Sequence, residues 1–83
     1  MENFKEIARE IAMKMASLGV SAKQILIEVP NQFVMSQVNE ELKQEFGSGT
    51  VYTLKNEFTT MNSLSVEIYG ILFKFIEKEK HGK

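Results

Sequence analysis

Two segments in the first half of the chain repeat apolar residues at three- and four-residue spacing, which is typical of helices buried along one face. In residues 4–18 the repeat consists of Phe4, Ile7, Ala8, Ile11, Ala12, Met15 and Leu18. Asn3 precedes it as a suitable N-cap, and Gly19 follows where a left-handed residue ends a helix. In residues 32–46, after the possible N-cap Asn31, the apolar residues are Val34, Met35, Val38, Leu42 and Phe46. The pattern predicts a helix in each segment.

In two short segments the side chains follow a period of two, which predicts strands. Residues 24–29, QILIEV, place Ile25, Ile27 and Val29 on one face, and Pro30 then ends the strand because it has no N–H to donate. Residues 50–54, TVYTL, are rich in β-branched and aromatic residues. The second strand is therefore expected there.

Between the second helix and the second strand lies Gly-Ser-Gly-Thr, residues 47–50. A glycine loop that binds phosphate follows a strand and begins a helix, so that N–H groups face the anion. Here the loop follows a helix instead, and the nearest free backbone groups are carbonyls. The segment is predicted to be a corner and not a phosphate site.

The second half of the chain suggests a third helix over residues 60–79 with two apolar stripes. One stripe is Met61, Leu64, Ile68, Ile71, Leu72, Phe75 and Ile76, and the other is Val66, Tyr69 and Phe73. Gly70 lies beside the second stripe, and a glycine inside a helix costs about 1 kcal/mol against alanine. We therefore expect Gly70 to allow close approach of another backbone.

These elements predict a small α/β protein of α+β class in the order α-β-α-β-α. The two strands and the helix between them would form a βαβ unit with a two-stranded sheet, covered by the first and third helices on one face and by the second on the other. Two strands alone leave two exposed edges. We therefore expect a homodimer, in which two chains pair edge to edge into a four-stranded sheet. Residues 1–83 form one domain, and residues 78–83, with alternating charges, are expected to be a disordered tail.

Composition narrows the classes of function. Ten basic residues oppose eleven acidic ones, for a net charge of −1, and Arg9 is the single arginine. Nucleic-acid binders usually cluster lysine and arginine, so a nucleic-acid partner is not expected. The absence of cysteine, of a long apolar run and of a basic, apolar leader at the start fits a cytoplasmic protein without a membrane partner.

The residues that catalysis or metal binding needs are scarce. The chain has no aspartate and no cysteine, and its one histidine, His81, lies in the expected tail. The sequence indicates no base that would activate a serine as a nucleophile. Glutamates alone make a poor metal site when no binding motif is present. The sequence therefore indicates a protein that is not an enzyme and has no cofactor and no metal.

The favoured hypothesis is a regulatory protein–protein interaction module, such as an inhibitor or adaptor from a mobile element. The module would contact its partner through the second stripe of the third helix and the adjacent Gly70, or through a strand edge. The candidate stripe residues are Val66, Tyr69 and Phe73. The acidic face of the second helix, with Glu40, Glu41 and Glu45, would steer a basic partner. The alternative that the second stripe is simply core remains open.

A second hypothesis comes from residues 25–33, ILIEVPNQF, which resemble the strand-proline-helix start of ribbon-helix-helix repressors. The resemblance implies a small dimeric DNA-binding regulator in which the outward residues Gln24, Leu26 and Glu28 would read bases. A glutamate there opposes phosphate binding, and the TVYTL strand interrupts the second helix that this family requires.

A third hypothesis is a small-ligand carrier with an adaptable pocket. The residues that would line it are Met13, Met15, Met35 and Met61. Met15, Met35 and Met61 fall on predicted core faces, so ordinary core packing is the favoured explanation for these three.

Overall fold

Two helices and four strands make up the computed structural model, which describes residues 3–55 and 60–78. The helices are α1 (Phe4–Leu18) and α2 (Gln32–Phe46), with the bounds that the apolar spacing predicted. The strands are β1 (Gln24–Val29), β2 (Val51–Lys55), β3 (Met61–Ile68) and β4 (Ile71–Glu77). A short 3₁₀ turn, Ser48–Thr50, joins α2 to β2.

Local capping explains why the helices end where the sequence indicated. The Asn3 side chain accepts hydrogen bonds from the N–H groups of Lys5 and Glu6, and the Asn31 side chain accepts one from Val34. Gly19 ends α1 in the left-handed conformation, with φ of 73°. Gly47 donates to the Lys43 carbonyl at the end of α2, which confirms the expected corner.

The predicted third helix is wrong, because residues 61–77 form the hairpin of β3 and β4. Tyr69 and Gly70 make its turn, with φ of 54° and 78°. Positive φ at both central residues is the geometry that joins two twisted strands through two residues. The element order is therefore α-β-α-β-β-β, and Gly70 is needed for backbone conformation instead of close approach.

The two-stranded sheet is also corrected, since one chain alone builds a four-stranded mixed sheet in the order β1-β4-β3-β2. β1 pairs in parallel with β4, and β3 pairs antiparallel with both β4 and β2. β1 and β2 run in the same direction but form the two edges, with the hairpin between them. A dimer is not required to reach four strands.

Both helices pack on the same face of the sheet, whereas we expected helices on both faces. Phe4 of α1 contacts Phe73 and Phe75 of β4, with ring centroids 5.2 Å and 5.5 Å apart. Met35 and Leu42 of α2 are fully buried in the same cluster. The described residues thus form two layers, helices over sheet, and none of their helices covers the second face of the sheet.

Gln32, at the start of α2, joins the ends of the hairpin strands. Its Nε2 donates to the Met61 carbonyl at 2.9 Å and to a Glu77 carboxylate oxygen at 2.8 Å, and its Oε1 accepts from the Met61 N–H at 3.0 Å. Lys78, the first residue of the predicted tail, still donates its N–H to Val29 at 2.7 Å. The rest of that tail, including His81, lies outside the described residues.

Candidate functional site: the open face of the sheet

The open face is the side of the sheet opposite the helices, and alternation places every second residue of each strand on it. Its middle row runs from β2 to β1 through Tyr52, Ser65, Lys74 and Leu26, as the strand register shows. The next row contains Leu54, Ser63, Ile76 and Glu28. The third row contains Glu67, Leu72 and Gln24. In the described strands these three rows hold eleven side chains.

Large apolar side chains on this face are in contact with solvent. Leu26 is 58% exposed, Tyr52 63% and Leu54 61%. Leu72 and Ile76 on the central strand β4 are half-buried. An exposed leucine alone is ordinary, but several apolar residues on one face of one sheet mark a binding surface or an aggregation hazard.

Side chains of different size lie on neighbouring strands of the open face. Ser63 and Ser65 form a column of small residues along β3. The aromatic ring of Tyr52 and the side chain of Leu54 stand on one side of this column, and the longer side chains of β4 stand on the other. The register thus places two small side chains between longer ones on either side.

The charges on this face do not favour a polyanion. Glu28 and Glu67 oppose the single Lys74, for a net charge of −1. Phosphate recognition requires clustered basic side chains, and Lys74 is the one basic residue among the described residues of this face.

The predicted binding stripe is not a surface. Val66 is 1% exposed and Phe73 is fully buried, and both belong to the core beneath the helices. Tyr69 and Gly70 are exposed, but at the hairpin turn instead of on a helix. Of the four predicted residues only these two can contact a partner in the folded chain.

The three predicted acidic residues lie on α2 and differ in exposure and in hydrogen bonding. Glu40 is exposed and Glu41 is half-buried. The carboxylate of Glu45 accepts hydrogen bonds from the N–H groups of Phe4 at 3.1 Å and Lys5 at 2.6 Å. It thus caps the start of α1, where the helix dipole favours negative charge, and has a structural role.

A small cleft lies where α1 ends beside the hairpin turn, with a volume of about 230 Å³. Its lining is mostly apolar and includes Ala12, Met15, Val20, Tyr69 and Ile71. Ligand pockets usually measure roughly 300–1,000 Å³ and contain a few polar groups. The cleft is small for such a ligand.

The methionines of the carrier hypothesis do not share a pocket. Met35 and Met61 are buried in the core, Met15 lines the cleft and Met13 is exposed on α1. Within residues 3–55 and 60–78 no group of three or more histidine, cysteine, aspartate or glutamate residues is placed to hold a metal ion.

The segment that resembles ribbon-helix-helix repressors does form a strand, a proline and a helix, as β1, Pro30 and α2. Three strands follow it instead of a second helix. Gln24, Leu26 and Glu28 lie on the open face of this sheet.

No protein-family model, no curated protein and no solved structure matches the chain. In the described part of the chain, neither helix has the length and apolar character to cross a membrane.

Sequence reasoning missed the open face because it assigned β3 and β4 to a helix. The available signal was alternation: Leu64, Val66 and Ile68 before Tyr69-Gly70, then Ile71, Phe73 and Phe75 after it. A period of two on both sides of a two-residue turn indicates a hairpin.

Proposed function

We propose that the chain is a non-enzymatic protein-binding module, cytoplasmic and regulatory, that binds a partner protein through the open face of its sheet. The observation that supports this is the set of three exposed apolar side chains, Leu26, Tyr52 and Leu54, on one face of a small sheet. Helices cover the other face completely enough to bury Phe73 and Leu64. The open face therefore has no structural need for large apolar residues.

The expected partner surface is an apolar ridge, such as one face of an amphipathic helix. The serine column on β3 provides room for such a ridge, and Tyr52 and Leu54 provide an apolar wall. Glu28 and Glu67 favour basic residues at the margin of the partner. Tyrosine is among the residue types that carry most of the binding energy at interfaces, so Tyr52 is the expected anchor.

The test compares three full-length baits: the wild type, the double variant Tyr52→Lys plus Leu54→Lys, and the control Phe33→Lys. Phe33 is also an exposed apolar residue, but it lies on α2 and not on the open face. Quantitative pull-down should recover a partner with the wild type and the control and lose it with the double variant. Calorimetry with the purified partner should then show at least a tenfold rise in Kd for the double variant alone.

Two results would contradict this function. One is a partner that the double variant retains with unchanged Kd. The other is salt-dependent retention of the wild type on heparin at physiological ionic strength, which would indicate a polyanion as the ligand. Circular dichroism of all three baits checks that the substitutions leave the fold intact.

A further inference from the structure

The backbone of β1 has a row of hydrogen-bonding groups on its outer side. The Lys23 carbonyl accepts a hydrogen bond from the N–H of Leu72 in β4, and the Val29 carbonyl accepts one from Lys78, which follows β4. The backbone groups of the odd-numbered residues of β1 therefore point toward β4. Because backbone direction alternates along a strand, the N–H and C=O groups of Gln24, Leu26 and Glu28 point away from β4. In the described part of the chain no other element pairs with this edge.

This edge lacks most of the features that keep sheet edges from pairing. Exposed edges are usually protected by shortness, by bulges, by proline or by charged residues, lysine above all. Glu28 is the one charged residue of β1. β1 has six residues without a lysine, a proline or a register shift. The other edge, β2, has five residues, a register shift at Leu54/Lys55 and a lysine at its end. Only β1 therefore presents a regular free edge among the described strands.

We propose that two copies of this chain pair through β1, antiparallel, about a two-fold axis at Leu26. In this register Leu26 lies opposite Leu26 of the second copy, and Gln24 lies opposite Glu28 of the second copy. All three outward residues then exchange both backbone hydrogen bonds, which makes six bonds in total for a ladder of this kind. Pro30, which has no N–H, ends the ladder.

Side-chain complementarity selects a second copy as the occupant of this edge. A two-fold interface places residue i against residue j and residue j against residue i. Centring on Leu26 brings two leucines together and gives each glutamate an amide to accept from, instead of another glutamate. The strand is thus complementary to itself in the one register that uses all three outward residues.

The dimer has a defined architecture. The axis stands perpendicular to the sheet, so the helices of both copies lie on one side and both open faces lie on the other. The product is an eight-stranded sheet, twice the four strands of one chain. This interface uses the strand edge and does not depend on the function proposed for the open face.

The first test is the solution mass of the full chain by light scattering after size exclusion, across a hundredfold dilution. The concentrated protein should have a mass near twice 9.5 kDa. Gln24→Glu should raise the dimer Kd about fivefold, because it places two glutamate pairs across the interface. Gln24→Lys, which creates two opposite-charge pairs, should lower it by a similar factor. Both changes are on an exposed residue and leave the apolar residues of the open face in place.

The second test is cross-linking with a short bismaleimide, which reacts only at an introduced cysteine because the chain has none of its own. In the Leu26→Cys variant the two thiols come from residues whose Cα atoms are about 5.5 Å apart, so rapid cross-linking is expected. In the matched control Leu54→Cys seven strand spacings separate the two thiols, about 34 Å, and no cross-link should form.

Three outcomes would overturn this pairing. They are a monomeric mass at every concentration, a dimer whose Kd is the same for both Gln24 variants, and cross-linking of Leu54→Cys as fast as that of Leu26→Cys. The open-face pull-down is read separately, with Tyr52 and Leu54 substituted and Gln24 unchanged. Failure of one proposal is therefore distinguishable from failure of the other.

Discussion

At the scale of single residues, two neighbouring residues show how backbone conformation decides their role. Tyr69 is a non-glycine residue at positive φ, next to Gly70, also at positive φ, in the turn between β3 and β4. Left-handed conformations cost most residues about 1–2 kcal/mol, and glycine adopts them without this cost. Gly70 therefore sets the turn, while Tyr69 stores strain at an exposed point.

Gly70→Ala should lower the free energy of unfolding by about 1 kcal/mol. A Cβ at this position would meet nothing within 4 Å, so the loss comes from the backbone conformation alone. Gly49→Ala is the matched control, because its Cβ also meets nothing within 4 Å and its φ is outside the positive range. Urea denaturation measures both variants, and an equal effect of the two would refute the argument from φ.

At the scale of elements, the two helices and the corner were predicted, whereas the hairpin was missed because its alternation competes with a helical spacing of the same residues. Helix bounds depend on signals within a few residues, such as Asn3, Asn31 and the apolar spacing. Residues 61–77 satisfy both periods, since Leu64, Ile68, Ile71 and Phe75 fit a helical stripe as well as two strands. Whether this segment forms a helix or two strands depends on the positive φ of Tyr69 and Gly70 and on pairing with β1 and β2, which are distant in sequence. The open face could not be predicted without that pairing.

Contacts between elements give a second prediction, at the joint between α2 and α1. Glu45→Ala should lower the free energy of unfolding by about 1–2 kcal/mol, because the N–H groups of Phe4 and Lys5 lose their carboxylate acceptor. Glu40→Ala, an exposed change on the same helix, should alter it by less than about 0.5 kcal/mol. Thermal denaturation of the two variants checks this, and equal melting temperatures would contradict the capping role.

At the scale of the whole molecule, stability depends on one core beneath the two helices. Phe73 lies at its centre, fully buried on β4 and in edge-to-face contact with Phe4. Both helices and the strands β1 and β2 could be predicted, but the element order, the number of strands and the side left open could not. These follow from how distant segments assemble, and no local pattern specifies them.

Phe73→Ala should cost about 3–5 kcal/mol, a large part of the stability of a domain this small. Circular dichroism should show loss of cooperative unfolding or a large drop in the urea midpoint. Leu54→Ala is the control, since Leu54 is exposed on the open face and its loss should cost less than about 0.5 kcal/mol. A folded Phe73→Ala variant with an unchanged midpoint would show that this residue is not core.

The parallel pairing of β1 with β4 has a consequence for how the chain is made. β4 comes last in sequence among the described strands, yet it lies inside the sheet and contacts both β1 and β3. A nascent chain that has not yet released residues 71–77 from the ribosome has no neighbour for β1. Its Ile-Leu-Ile segment then stays available to chaperones or to other chains, and the sheet closes in one late step.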